Sequence, residues 1–103
     1  MIKVSVFYPA GEGKTFNMDY YLNTHMPLVA KLSGAALKGT SVDAGLSGDT
    51  PGAPAPYTAI GHLYFNSLEE FGQSFVPNIN EIVADVPKYT NIQTVVQISQ
   101  VMT

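Results

Sequence analysis

The sequence has no cysteine at all, which excludes disulfides, thiolate metal ligands and cysteine nucleophiles. Charge is scarce: 13% of residues are Asp, Glu, Lys or Arg, roughly half the usual share for a globular protein. Only five residues are Lys or Arg and the net charge is −3, too little positive charge for a phosphate-tracking groove or an anionic membrane surface. Nucleic acid and membrane are therefore not expected partners. No apolar run approaches the ~20 residues of a membrane span, and no signal peptide is read ahead of the first periodic segment. A cytoplasmic protein is the expectation.

What remains is one domain of 103 residues, 46% hydrophobic. A chain of this size buries about two-thirds of its unfolded surface, enough for one modest core. With so few charges to solvate the rest, part of the surface must be neutral or covered, and a subunit interface is the simplest cover. An oligomer is expected on composition alone.

The alternation of Ile2, Val4, Val6 and Tyr8 predicts a first strand over 2–8, and Pro9 to Lys14 reads as a loop. Thr15 is a plausible N-cap for a helix running to about Thr24 or His25. Pro27 interrupts that helix, because its ring clashes with the carbonyl four residues back; a bent helix closing at Ser33 and Gly34 is expected. Leu37 to Gly45 reads as a second, edge strand, and Ser47 to Pro56, with three prolines and two glycines, as a loop. Tyr57 to Phe65 alternates as a third strand. Asn66 with Glu69, or Ser67 with Glu70, has the spacing of a capping box for a helix packing Leu68, Phe71 and Phe75. After Pro77 a short helix over 78–86 places Ile79, Ile82 and Val83 inward, and Asn91 to Met102 closes the chain as a fourth strand. The order strand, helix, strand, strand, helix, strand specifies an α+β, ferredoxin-like βαββαβ fold with a four-stranded antiparallel sheet and helices on one face. Strands one and four carry apolar residues on both faces, so a second copy of the sheet is expected to cover the open one.

The densest stretch is Phe16 to Leu28, Phe-Asn-Met-Asp-Tyr-Tyr-Leu-Asn-Thr-His-Met-Pro-Leu. Tyr21 and His25, four apart, share one helical face. His25 titrates near neutrality and suits acid/base work on an enolisable or phenolic compound, with Tyr21 as an orienting or oxyanion donor. The plainer reading is that His25 caps carbonyls at a helix end. Tyr20, about 100° away, is a packing or substrate-binding residue. His62 and Tyr64 share a face of the third strand and are candidates either for the pocket or for the interface between sheets. Phe16, Leu22 and Leu28 read as anchors, and Asp19, Asp43, Asp49 and Asp85 as turn or helix-end residues without chemistry. Two histidines without a partner at ligand spacing make no metal site, and a single His25 is thin support for a haem, so no cofactor is expected.

The pattern Phe16, Tyr20-Tyr21, His25, Pro27, Leu28 resembles the EthD family, small proteins named for ethyl tert-butyl ether degradation. The resemblance implies a dimeric α+β barrel, a homodimer in which two ferredoxin-like sheets pack face to face. It also implies a small hydrophobic ligand and a setting in oxidative, xenobiotic-degrading catabolism. Related barrels include cofactor-free monooxygenases, isomerases and dehydratases. One fold hosting many reactions leaves two functional readings open. Either the chain is an enzyme with His25 and Tyr21 at its centre, or it is a non-catalytic ligand-binding or accessory module that supports a partner oxygenase.

Overall fold

A computed structural model describes residues 1–103. The alternating segments form four strands, β1 (Ile2–Pro9), β2 (Leu37–Ala44), β3 (Tyr57–Phe65) and β4 (Val95–Gln100). They pair antiparallel in the order β2-β3-β1-β4, the ferredoxin-like topology. β1 and β3, the two most regular alternations in the sequence, occupy the centre. β2 is an edge strand as expected, with an irregularity between Leu37 and Gly39. β4 is shorter than the pattern from Asn91 suggests; Ile92 is buried ahead of the strand.

The register puts Val4, Val6 and Tyr8 on the same face as Leu63, Gly61 and Ala59. The helices pack on this face, and the core clusters there, around Val4, Tyr21, Val29, Leu63, Phe65 and Ile82. Ser5, Phe7, Ile60, His62 and Tyr64 point the other way, to a face no helix covers.

The first helical region has three parts: α1 (Met18–Tyr20), a π-helical turn over Tyr21–His25, and α2 (Met26–Ser33). Asn17, not Thr15, is the cap, its side-chain oxygen accepting from the Tyr20 amide at 3.0 Å. Thr15 is occupied otherwise: its amide donates to the Asn91 side chain at 2.9 Å and its carbonyl accepts from the Thr90 hydroxyl at 2.6 Å. A positive φ of 64° at Gly34 ends α2, a conformation that favours glycine.

On the second crossover, Ser67 caps α3 (Leu68–Ser74), accepting from the Glu70 amide at 3.1 Å. Of the two capping-box alternatives the chain uses the one whose hydroxyl can reach N3, a contact worth about 1 kcal/mol. A short 3-10 turn at Val76–Asn78 absorbs Pro77 before α4 (Ile79–Asp85). Within α4 only Ile82 is buried among the three residues expected inward; Ile79 and Val83 stand exposed at its rim. Leu22 is likewise exposed, not an anchor, because the π turn swings it outward.

Candidate functional site

Pro27 explains the π turn. It has no amide hydrogen to give to Asn23, and its ring would crowd that carbonyl in a regular helix. The backbone widens instead: the Met26 amide donates to the Tyr21 carbonyl, five residues back. Such turns recur at functional sites. Here it buries both Tyr21 and His25 and stacks their rings, 5.6 Å apart and 15° from parallel.

His25 is 4% exposed, and its Nδ1 lies 2.9 Å from Oδ2 of Asp85, the last residue of α4. The other carboxylate oxygen accepts from the Tyr20 hydroxyl at 2.8 Å, with the Lys88 ammonium 3.7 Å away. Burial alone would raise the Asp85 pKa. The hydrogen bonds from His25 and Tyr20 and the nearby positive charge outweigh it and hold the group below its ordinary 3.8. Burial also pushes His25 below 6.5, against the pull of Asp85. At neutral pH Asp85 is therefore ionised and His25 neutral. Nδ1–H donates to the carboxylate, and the lone pair sits on Nε2, which makes no hydrogen bond.

His25 borders a cavity of about 220 Å³ between the helices and the sheet. Val4, Val6 and Leu63 form its floor and Met26, Val29 and Ile82 lie across it. Fifteen of eighteen lining residues are hydrophobic, a lining that suits apolar matter better than charged. The lining residues that carry polar side-chain atoms are His25, Thr94, Tyr8, Tyr21 and Tyr89. Tyr8 and Tyr89 are hydrogen-bonded to each other at 2.8 Å. Burial raises the pKa of all three phenols, so each is a protonated donor. The Tyr21 hydroxyl lies over Gly61, in the space a side chain there would fill.

The expected site residues divide. Tyr21 and His25 come together at the cavity. Tyr20 does not line it; its ring stacks on Tyr89 and its hydroxyl holds Asp85. His62 and Tyr64 lie on the opposite face of the sheet. Both His62 nitrogens are occupied, Nδ1 by the Ser5 hydroxyl and Nε2 by Asp43, each at 3.0 Å. This row has the members of a Ser-His-Asp triad but not its working parts. Ser5 is 4% exposed and paired by its backbone on both sides, with His62 and Gln97, so neither room nor free amides for an oxyanion exist beside it. None of residues 47–56 lines the His25 cavity.

Asp85 is the residue that sequence reading passed over. Its role as a helix-end residue is real, yet its partner is sixty positions away, and a pairing at that distance leaves no local spacing to find. Tyr8 and Tyr89 were legible in one respect: a tyrosine on the buried face of a strand, as Tyr8 is, needs a partner for its hydroxyl. No three His, Cys, Asp or Glu side chains converge to hold a metal ion, and no helix is long and apolar enough to cross a membrane.

Comparison with known proteins agrees with this architecture. Among curated proteins none matches the sequence. The crystal structure of an EthD-like protein from Ralstonia eutropha JMP134 is similar at 38% identity and a TM-score of 0.94, over 99% of this chain and 92% of that one. An ethyl tert-butyl ether degradation (EthD) family protein from Bacillus halodurans C-125 superposes with a TM-score of 0.74 at 20% identity, over 99% of both chains. A protein of Arabidopsis thaliana does so at 0.69 and 13%, over 100% of this chain and 97% of its own. The last two speak for the fold alone. The EthD domain model matches residues 11–93, which contain the π turn, His25, Asp85 and Tyr89. With that match over most of its length, the chain belongs to the EthD family.

Proposed function

We propose that this protein catalyses proton transfer on a small hydrophobic compound bearing a ketone or phenol group, with His25 as the acid/base. The observation that carries the reading is the state of His25: neutral, oriented through Nδ1 by a buried carboxylate, and presenting an unpaired Nε2 to an apolar cavity. A base held this way needs no reorganisation to take a proton. Tyr21 stacks on the imidazole and limits its rotation, and its hydroxyl faces the same space. Tyr20 acts through Asp85 as a positioning residue. The reaction class is a cofactor-independent isomerisation, dehydration or monooxygenation, each of which begins with such a proton transfer. Assaying enolisable aromatic ketones with wild type and His25→Gln tests it; full activity in the variant removes His25 from the mechanism.

A second reading is a ligand-binding or accessory module that hands its guest to a partner oxygenase. The exposed apolar residues at the cavity's edge, Ile79, Val83 and Val96, favour it, since a mouth of this kind suits docking. Under this reading ligands raise the melting temperature and none is turned over.

In either case the working unit is a homodimer. The sheet face carrying Phe7, Ile60 and Tyr64 has no helix over it, and a second copy of the sheet would cover its apolar side chains. Ile60→Lys, which sets a charge on that face, converts the dimer to the 11.1 kDa chain in light scattering. A wild-type protein that already runs as a monomer overturns this part of the reading.

A further inference from the structure

The tyrosines around the cavity hold more hydroxyl protons than the protein itself uses. The hydroxyls of Tyr8 and Tyr89 are 2.8 Å apart, and the Tyr21 ring stands edge-on to Tyr8 at 5.5 Å. All three side chains are at most 3% exposed. No main-chain carbonyl and no carboxylate accepts from any of them. Among these three hydroxyls the one hydrogen bond is that between Tyr8 and Tyr89, and it uses a single O–H. At least one O–H is therefore left for an acceptor that the chain does not supply.

The same end of the cavity holds the base. The His25 and Tyr89 rings are 4.6 Å apart, and both residues line the cavity together with Tyr8. This site offers one acceptor, one spare donor and no cation, since no Lys lines the cavity and Lys88 is engaged with Asp85. Carboxylates and phosphates are poorly matched. The complementary guest presents an acidic hydrogen to His25 and an oxygen acceptor to the phenols.

We infer that the hydrogen-bonded Tyr8–Tyr89 pair, through the one O–H it leaves free, receives the carbonyl oxygen of an enolisable ketone or aldehyde while His25 takes the proton from the adjacent carbon. The inference rests on the acid/base reading of His25. The C–H electron pair becomes the new C=C bond, the carbonyl π pair moves to oxygen, and the free O–H of the pair donates to the resulting enolate oxygen. The imidazolium formed, steadied by Asp85, returns the proton to carbon, so no oxidant or further reactant is consumed. In the Tyr8–Tyr89 pair one hydroxyl donates to the other, which strengthens the terminal donor.

The probe is 4-nitrophenol, whose phenolate resembles an enolate in charge and shape and is distinguished from the phenol by its visible absorption. It is titrated into full-length protein below its own pKa. The bound probe is expected to be phenolate in roughly tenfold excess over the free probe under the same conditions. Tyr8→Phe and Tyr89→Phe each reduce that excess several-fold, and the double variant abolishes it, while melting curves check that each variant is folded. The preference persists in His25→Ala, because the donors and not the base create it. If the double variant keeps the phenolate excess, or if His25→Ala alone removes it, the tyrosine assignment is wrong and the His25 reading stands. If 4-nitrophenol does not bind in the cavity at all, both fall together.

Discussion

His25 and His62 each sit within hydrogen-bond distance of an aspartate, at 2.9 and 3.0 Å, on opposite faces of the same sheet. Beyond that distance they have little in common. Asp85 is buried with three further constraints around it, the Tyr20 hydroxyl, the Lys88 ammonium and the end of α4. The Asp43 side chain is 63% exposed on an edge strand. His62 uses its second nitrogen on Ser5 and has none left; His25 keeps its second nitrogen free at a cavity. A histidine–carboxylate pair is thus not a functional signature by itself. What separates the two pairs is the second ring nitrogen, engaged by Ser5 in His62 and without a hydrogen-bond partner in His25, which lines the cavity on the helix-covered face.

The largest expected difference between the two faces is kinetic. With an enolisable ketone as substrate, His25→Ala lowers kcat/KM by about 10²- to 10⁴-fold, the usual contribution of a general base. His62→Asn leaves it within about a factor of two, having no part in the proton transfer. Steady-state assays of both variants check this, and comparable losses would erase the distinction.

Stability comes next. Asp85→Ala strands the buried Nδ1 donor of His25 and costs about 1–3 kcal/mol in denaturant unfolding. Asp43→Ala, at an exposed pair, stays within about 1 kcal/mol.

A smaller contrast lies in two strand glycines. A methyl at Gly61 meets the Tyr21 hydroxyl, whereas one at Gly39 touches only the Tyr64 ring at 3.8 Å, an ordinary contact. Gly61→Ala should lower stability by about 1–3 kcal/mol, and adding Tyr21→Phe should restore part of it. Gly39→Ala should change stability by no more than about 0.5 kcal/mol. Equal effects at the two positions would mean that Tyr21 has room to move.

The smallest effect is on pH dependence. His25 is depressed below 6.5 in the folded chain, so the unfolded chain takes up the proton first and stability starts to fall as pH drops through 6.5. Asp85, depressed below 3.8, adds a second loss nearer that value. His25→Gln should remove the first loss and keep the second, read from melting temperatures between pH 7 and 3. A wild-type curve flat to pH 4 would contradict the neutral, buried His25.

Most of the scaffold was legible in the sequence because strand alternation is local. Tyr57–Phe65 appears where its period-two pattern put it, and Ser67 was one of two caps named by spacing. The site was half legible. Tyr21 and His25 are four apart and show in any helical reading, and Pro27 announced a break. The kind of break was not readable, since a kink and a π turn answer the same missing amide. Asp85, Tyr8 and Tyr89 reach the site by tertiary folding from the far end of one helix, the first strand and the segment after α4. His62 and Tyr64 share a face as their alternation predicts, and of the two places open to them, pocket or open sheet face, the packing of the helices selects the second.

The π turn has a consequence for how this site can be lost or gained. It holds one residue more than an α turn would, with the flanking α segments continuing on either side. Removing one residue between Tyr21 and His25 would cut their separation from four to three while Pro27 still denied the helix a regular turn, so the two rings could not keep their near-parallel stack. The sheet and its register would stay as they are. A single-codon deletion is therefore enough to separate the scaffold from the arrangement around His25, and the length of this one turn carries information about a relative's site that the identity of the fold does not.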